Sequence, residues 1–414
     1  MNQAEFDVAV IGGGMVGATV ACLLLREKFS VALIEAGEPP GFDESKPVGL
    51  RVSAVSPGSA SVLDHAGAWR IVEGRRHCPY RAMHVEEAED QEQAAIDFAA
   101  PEFGLERLGT IVENESVTEA LWQVLEARKT AGDGLEIFRP VRLEGFETST
   151  EGARLSLESG PDISAKLIIG ADGPRSPVRK LSGIDQETWH YGQKGIVTVI
   201  KTQQRNPGTA WQRFMEGGPL ALLPLADGQS SIVWSRPQAE ADRLLDLDDA
   251  SFCRELELTS GSWLGEVESC GPRAAFELTM RLSERYVAGR AVLMGDAAHV
   301  VHPLAGQGVN LGFLDAAALV ELISKLRDEN RDWAGDAVLT PVLERYQRWR
   351  RSDVEVMARG IHGIRTLFEP PILAPVRRLG MRLVGKSWIA RETFLRRAAG
   401  LHADAPSLAR AGRS

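Results

Sequence analysis

The chain has 414 residues, 44% of them hydrophobic and 25% charged, which excludes a disordered polymer and leaves room for about two to four domains or one large two-part fold. A formal net charge of −10 and an isoelectric point near 5.5 exclude a general nucleic-acid binder, which needs a basic face. Four cysteines, Cys22, Cys78, Cys253 and Cys270, stand far apart with no C-x-x-C pair, a pattern of free thiols in a reducing compartment rather than of a zinc ribbon or a disulfide scaffold.

Residues 6–11, F-D-V-A-V-I, read as a short buried strand. Gly12, Gly13, Gly14, Met15, Val16 and Gly17 then satisfy G-x-G-x-x-G, 18–26 read as a helix, and 31–34 as a second strand with Glu35 at its end. In this layout Gly12 allows the tight turn, Gly14 lets a pyrophosphate approach the backbone, and Gly17 lets helix and strand pack closely. Free N–H groups at the helix start face the phosphates. Glu35, eighteen residues after Gly17, accepts from ribose hydroxyls. An acid there disfavours a 2′-phosphate, so ADP-ribose of the NAD or FAD type is expected. The uncharged stretch 8–25 mimics a membrane span or a signal segment. Glu5 and Asp7 precede it in place of a basic region, and four glycines fall within 12–17, so it is assigned to the dinucleotide turn.

Residues 167–176, L-I-I-G-A-D-G-P-R-S, read as a strand running into an Asp-Gly turn, with a basic helix start at Pro177, Val178, Arg179 and Lys180. Between 185 and 275 the pattern is β-rich. Residues 195–202 and 210–215 alternate, and 220–225 pairs with 231–235 across Ala226, Asp227, Gly228 and Gln229, an Asp-Gly hairpin signal. Residues 291–294 form another buried strand that ends in Gly295, Asp296, Ala297, Ala298 and His299, and H-P-L-A-G-Q-G-V-N-L-G-F-L-D follows at 302–315. A strand ending in Asp offers a carboxylate to a polyol hydroxyl. A glycine loop opening a helix offers N–H groups to a developing negative charge.

These motifs together, strand–G-x-G-x-x-G–Glu, G-A-D-G-P-R-S, G-D-A-A-H and P-L-A-G-Q-G-V-N, resemble the flavin-dependent aromatic hydroxylases of the p-hydroxybenzoate hydroxylase-like fold. The segment 302–315 resembles, more narrowly, the ubiquinone-biosynthesis hydroxylases. The likeness runs through nearly the whole chain, including R-V-S-A-V-S at 51–56, I-V-E-N at 111–114, A-W-Q-R-F at 210–214 and R-A-A-G-L at 397–401. One departure is Gly49-Leu50 before Arg51, where relatives often carry an acid.

The resemblance implies an α/β fold: a Rossmann-like FAD-binding domain interleaved with an antiparallel β-sheet substrate domain, with a helical C-terminus. FAD is the implied cofactor. Gly12, Gly14, Gly17 and Glu35 would hold its ADP half, Arg51 would lie by the pyrophosphate, and Asn114 would reach the ribityl side. Asp172 would belong to a motif shared by FAD and nicotinamide binding, Asp296 would hold the ribityl chain, and Pro303 would lie near the ring. The N–H groups of Gly308, Val309 and Asn310 would face the N1–C2=O edge, where a reduced flavin is an anion. The implied activity is hydroxylation of the ring of a polyprenylated phenol or quinol on the way to ubiquinone, through a flavin C4a-hydroperoxide. O2 is the co-substrate and NAD(P)H or another donor the reductant. No residue need act as a nucleophile, so none is assigned as catalytic. A non-catalytic flavin-binding scaffold, a hydroxylase of a soluble aromatic compound, and a halogenase or prenyl reductase are the alternatives; the W-x-W-x-x-I motif expected of a halogenase is absent.

On this reading the FAD-binding parts are 1–75, 100–180 and 280–355, the substrate domain is 76–99 and 181–279, and 356–414 is a C-terminal helical segment. From Pro371 onward nine basic residues, Arg377, Arg378, Arg382, Lys386, Arg391, Arg396, Arg397, Arg410 and Arg413, stand against two acids, Glu392 and Asp404, with Leu373, Val376, Leu379, Leu383 and Val384 interleaved. Two readings stay open: a solvated helical face packed on the flavin domain, and a surface for anionic lipid or for an acidic partner such as a ubiquinone-biosynthesis complex. The expected location is cytoplasmic and peripheral on the inner membrane. His299 and His302 form H-x-x-H, but only Asp296 stands near as a further ligand, so no metal is expected. Trp211, Trp234 and Trp263 read as core or as the lining of an aromatic pocket. Of the neighbours Gln212 and Arg213 one faces inward, and Arg213 would orient a phenolate or sit in a structural ion pair.

Overall fold

Strand Ala4–Ile11 lies inside an eight-stranded sheet, between Val31–Ile34 and Ile163–Gly170, both parallel to it. Leu135–Phe138 extends the sheet beyond Val31–Ile34, and Ala291–Leu293 extends it beyond Ile163–Gly170, again in parallel. The structure, a computed structural model, describes residues 4–87, 95–301, 308–330, 332–368 and 374–410. A parallel sheet is covered on both faces, so its strands read as unbroken apolar runs. Val31–Ile34 is buried at every position, and Leu167, Ile168 and Ile169 are fully buried. Helix Met15–Arg26 packs between helices Asn114–Thr130 and Gly308–Glu329. It begins three residues earlier than the apolar pattern suggests, inside the glycine motif. Gly14 caps it in extended backbone, and its carbonyl accepts from the Ala18 N–H at 2.9 Å.

The second layer is a nine-stranded sheet built around the 17-residue strand Gln186–Thr202. Its neighbours are Ser230–Pro237 on one side and Ala274–Ser283 on the other. The expected hairpin is present: Leu220 faces Trp234 and Pro224 faces Ser230, and the turn bends back at Gly228, φ +83°. Two features depart from the expectation. The sheet is not antiparallel throughout, because Thr209–Phe214 pairs in parallel with Ala82–Glu87. No tight turn joins those two strands; the chain passes through the first sheet between them, so their relative direction is free of hairpin constraint. The region read as β-rich also contains two helices, Gln238–Leu245 and Asp249–Ser260. Asp248 caps the second by accepting from the Ser251 N–H at 2.9 Å. Ala241, Leu244, Phe252 and Leu256 of these helices pack with Ile196, Leu222, Ile232 and Trp234, closing one face of the sheet. The opposite face meets the three-stranded sheet Val52–Val55, Cys78–Tyr80 and Gly109–Glu113, where Val199 and Leu223 touch the Ala54 and Ile111 cluster.

The C-terminus is helical: Asp336–Phe368, Ala374–Lys386, Trp388–Ala398 and Ser407–Arg410. Its end folds back on the first layer. The Gly58 N–H donates to Ala399 O at 2.9 Å, Ser61 Oγ to Leu408 O at 2.6 Å, and Trp349 Nε1 to Asp404 O at 2.8 Å. Among the described residues no helix is long and apolar enough to cross a membrane.

The strand–helix contact at Gly17 has no slack. A Cβ there would stand 1.9 Å from Gly12 O and 3.2 Å from Ala171 Cβ. Gly17→Ala is therefore expected to lower unfolding stability by about 2 kcal/mol or more, the cost of overpacking a rigid core, measured by urea denaturation of the flavin-free protein.

Candidate functional site

Four strand ends, Ile34, Ile11, Gly170 and Leu293, stand in register along the carboxyl edge of the parallel sheet. At a strand spacing of about 4.8 Å they span roughly 14 Å. Open α/β sheets bind ligands outside this edge, and three of the sequence motifs follow from these ends. Gly12 adopts φ +100°, which an L side chain rarely takes, and a Cβ there would lie 2.5 Å from Ala171 O. The glycine turn and the Asp-Gly turn are thus in contact. The Gly13 N–H donates to Glu35 Oε2, the Gly37 N–H to Glu35 Oε1 at 2.9 Å, and Trp122 Nε1 to Gly13 O at 2.8 Å. A carboxylate has about four acceptor positions, so Glu35 keeps capacity for hydroxyl donors.

Asp172 accepts the Val178 N–H on Oδ2 at 3.0 Å, and burial pushes its carboxyl above the usual range. In the short basic helix Pro177–Leu181, Lys180 is exposed, but Arg179 is buried and donates to Ala297 O and Pro174 O, each at 3.0 Å, tying the Asp-Gly turn to the turn that carries Asp296. Asp296 sits in the one-turn helix Gly295–Ala297. Its side chain is open to solvent, yet enclosing protein pushes its carboxyl up, with His299 and Arg281 pulling it back. That combination describes a carboxylate on the wall of a recess.

Two helix starts face the same recess. A Cβ at Gly312 would stand 2.5 Å from Val16 Cγ2, and one at Gly295 would stand 3.1 Å from that atom. Val16 follows the start of helix Met15–Arg26, and Gly312 lies in the first turns of helix Gly308–Glu329. Among the described residues nothing lies within 4 Å of where a Cβ at Gly14 or Gly308 would be. Val309 is half-buried. The Asn310 side chain is buried and ties the later helix to the three-stranded sheet, accepting the Ser56 N–H and donating to Ala54 O, both at 2.9 Å. Arg51 is exposed, and its side chain has no ion-pair partner among the described residues. Its carbonyl accepts the Asn114 N–H at 3.0 Å, and Ser53 Oγ donates to Asn114 Oδ1 at 2.6 Å. Just before Arg51, the Gly49 N–H donates to Glu113 at 2.7 Å, and Glu113 pairs with Arg76 at 2.8 Å. Pro303 and His302 lie outside the described residues. The arrangement fits a long polyhydroxylated anion: helix-start N–H groups for phosphate and for a charged ring edge, and carboxylates for ribose and polyol hydroxyls.

Beneath the recess lies a buried charge network that the sequence did not reveal. Asp315 accepts from the Gly295 N–H at 3.0 Å, meets His299 Nε2 at 2.6 Å and pairs with Arg350 Nε at 2.8 Å. Arg350 in turn holds Asp353 at 2.7 Å, which reaches Arg397 and His402 at 3.4 Å each. The side chains of His299, Asp315 and Arg350 have no solvent exposure. Burial alone would raise the Asp315 carboxyl, but His299 and Arg350 hold it below the usual range. His299 Nε2 is thus engaged with Asp315. The aromatic and arginine candidates also separate. Trp234 is core, at 1% exposure. Trp211 and Trp263 stack at 5.0 Å on the sheet face that the two helices cover. Arg213 pairs with Glu86 at 3.1 Å and donates to Thr259 O, so the ion-pair reading holds. Gln212 is buried on the opposite face, with Val85 and Ala221 as cross-strand neighbours.

Comparison with known proteins agrees with this geometry. The FAD binding domain family matches residues 5–359. The 3-demethoxyubiquinol 3-hydroxylase of Escherichia coli (strain K12) is 36% identical over 403 residues, 97% of this chain and 100% of that protein. The ubiquinone hydroxylase UbiL of Rhodospirillum rubrum is 32% identical, over 95% of this chain and 89% of its own. Among solved structures, p-nitrophenol 4-monooxygenase from Pseudomonas putida DLL-E4 superposes with a TM-score of 0.74 at 17% identity, covering 96% of this chain and 100% of that one, a likeness of fold.

Two predictions separate binding from folding. Gly14→Ala should leave urea stability of the flavin-free protein unchanged, because its Cβ points into open space, and Asp296→Ala should change it little. Each should weaken flavin binding, Asp296→Ala by about 1–3 kcal/mol for a lost charge-assisted hydrogen bond, read by fluorescence titration. Asp315→Asn should instead cost about 3–5 kcal/mol of stability, since it removes the buried carboxylate that Arg350 and His299 share and leaves Arg350 with Asp353 alone, read by the same denaturation experiment.

Proposed function

The chain belongs to the FAD binding domain family and, within it, to the ubiquinone-biosynthesis hydroxylases, and on that premise we propose that it hydroxylates the ring of a polyprenylated phenol or quinol. It is a FAD-dependent monooxygenase. The observation that carries the residue assignment is the contact of Val16 with Gly295 and Gly312, which brings two helix starts and the Asp296 turn to one recess. When bound, FAD supplies the redox chemistry: it takes electrons from NAD(P)H or another donor and activates O2, so that one oxygen atom enters the ring and the other leaves as water.

The chain's own tasks are binding, charge stabilisation and exclusion of water. Gly12, Gly14, Gly17 and Glu35 take the ADP half, with the Gly14 helix start on the pyrophosphate and Glu35 on the ribose. Arg51, exposed and without an ion-pair partner among the described residues, neutralises the pyrophosphate. Asn114 and Asp296 take the ribityl side, and Asp172 serves the motif shared by FAD and nicotinamide binding. The N–H groups of Gly308, Val309 and Asn310 stabilise negative charge at the N1–C2=O edge, as an oxyanion hole does. Pro303 is assigned beside the ring by the family resemblance alone. The substrate ring is assigned to the inner face of the nine-stranded sheet, where Gln212 is one of the buried polar groups beside Glu87, Ser231 and Ser235, and the sheet shields the reacting edge from water. The division into 1–75, 100–180 and 280–355 for FAD, 76–99 and 181–279 for substrate, and 356–414 as a helical segment serves this reading.

A prenyl tail prefers a bilayer to water by about 0.8 kcal/mol per CH2, so the substrate is met at a membrane surface or handed over by a partner of the same pathway. We place the protein on the cytoplasmic side as a peripheral protein; all four cysteines are free thiols, in keeping with a reducing compartment.

The purified protein should be yellow and release FAD, not FMN, on heating. With a short-chain prenylated phenol it should consume NAD(P)H and incorporate label from isotopic O2 into the ring. Reductant consumption without a labelled ring, checked by mass spectrometry, would remove the hydroxylase reading.

A further inference from the structure

Among the described residues ten large hydrophobic side chains are exposed, and six of them fall in one short stretch: Leu379, Leu383, Val384, Trp388, Ile389 and Phe394, with Ile389 at 73%. They lie on helices Ala374–Lys386 and Trp388–Ala398, which Ser387 separates by capping the second, its Oγ accepting the Ala390 N–H at 3.3 Å. Exposed apolar residues scattered singly are ordinary; a contiguous cluster marks a contact surface. Nor are these helices loose on the protein. Met381 is buried, and Leu395 packs into the cluster of Phe98 and Phe103. A Cβ at Gly385 would lie 3.5 Å from Ala95 O, and Arg391 pairs with Glu102 and donates to Asp97 O. The inner face is therefore docked on the edge strand Ala95–Ala99 of the nine-stranded sheet, and the outer face is apolar.

Charge decides what that face meets. Residues 374–398 hold seven basic side chains and one acid in a chain whose net charge is −10. Arg391, Arg396 and Arg397 pair with Glu102, Glu392 and Asp353. Lys386 is exposed beside Leu383 and Val384. Aliphatic side chains, a Trp and cations on one helical surface match the interface of an anionic bilayer, where acyl chains take the apolar groups and headgroups take the charge. The face also adjoins the edge of the sheet to which the substrate ring is assigned, so docking would place a prenylated substrate next to its site; this last step rests on the proposed function.

We propose that the outer face of helices Ala374–Lys386 and Trp388–Ala398 is a membrane-docking surface that buries Leu379, Leu383, Trp388 and Ile389 among the acyl chains of an anionic bilayer, with Lys386 at the headgroups. Full-length, FAD-loaded protein is co-sedimented with phosphatidylcholine vesicles with and without phosphatidylglycerol, at low and high salt. The wild type should bind the anionic vesicles best, and salt should weaken binding. Leu383→Ser combined with Ile389→Ser should lower the partition by about tenfold or more, with flavin content and urea midpoint unchanged. Lys386→Glu should reduce the preference for anionic lipid. The emission lost in Trp388→Phe should be the part that shifts to the blue on vesicles. Equal binding by the wild type and the double variant overturns the proposal. So does a wild type that ignores every vesicle but forms a dimer, or captures an acidic protein, in a manner the double variant abolishes. Turnover of a short-chain, water-soluble phenol by the same variants tests the hydroxylase reading separately. If that turnover is absent while vesicle binding follows the expected pattern, the docking surface stands and the substrate assignment falls.

Discussion

The recess depends on how closely two helix starts approach each other. Val16 fills the space that any side chain at Gly295 or Gly312 would need. This contact brings helix Met15–Arg26 and helix Gly308–Glu329 together at their N-terminal ends. Each end carries about half a positive charge from its peptide dipoles, so the fold concentrates like partial charges where a purely structural design would separate them. Glu35, Asp172 and Asp296 stand around that positive region, and the first of these takes helix-mouth and loop N–H groups directly. The site is organised for an anion that also carries hydroxyls before any ligand arrives. Preorganised dipoles of this kind need no reorientation when charge develops, which is the condition for electrostatic catalysis.

The Asp296 turn is held from below. Asp315 belongs to the later helix, yet its carboxylate takes the Gly295 N–H and so fixes the residue next to Asp296. The network that satisfies Asp315 runs through Arg350 to Asp353 and then to Arg397 and His402, close to the C-terminus. Residues far apart in sequence thereby reach the ligand turn through charge. A buried network is costly when incomplete, and its continuity from residue 295 to residue 402 explains why the chain's end must fold back on the first layer.

The sequence disclosed what is local. The strand, glycine turn, helix, strand and acid around Gly12 and Glu35 follow one another within a short stretch, and the hairpin across Asp227 and Gly228 shows its own turn chemistry. Pairing between distant segments was not legible: nothing in residues 82–87 says that they run parallel to 209–214. Helices Gln238–Leu245 and Asp249–Ser260 were hidden inside a β-rich region because each is short and its apolar residues are few. Arg350 and Asp353 lie in R-W-R-R-S-D-V-E, which reads as a solvated helix face until tertiary packing buries it. Arg213 and Gln212 could be separated only by knowing which face of the sheet its helices cover.

The C-terminal segment shows the same limit from the other side. Composition marks it as basic, and a basic helix is usually read as a solvated face. Geometry divides that charge. Arg391, Arg396 and Arg397 are engaged by acids of the protein itself, so much of the positive excess neutralises local carboxylates. The apolar residues interleaved with them would, on an ordinary surface helix, form the inner stripe. Here, among the described residues, Met381 and Leu395 are the buried hydrophobic side chains that serve that purpose, while Leu379, Leu383 and Ile389 are exposed. An exposed Leu, Trp and Ile face is stable in water only because the underlying helices are fixed by other means: the Gly385 contact, the Arg391 pair and the return of residues 399–408 to the first layer. On the docking proposal, this supported apolar face is the surface that a bilayer would cover.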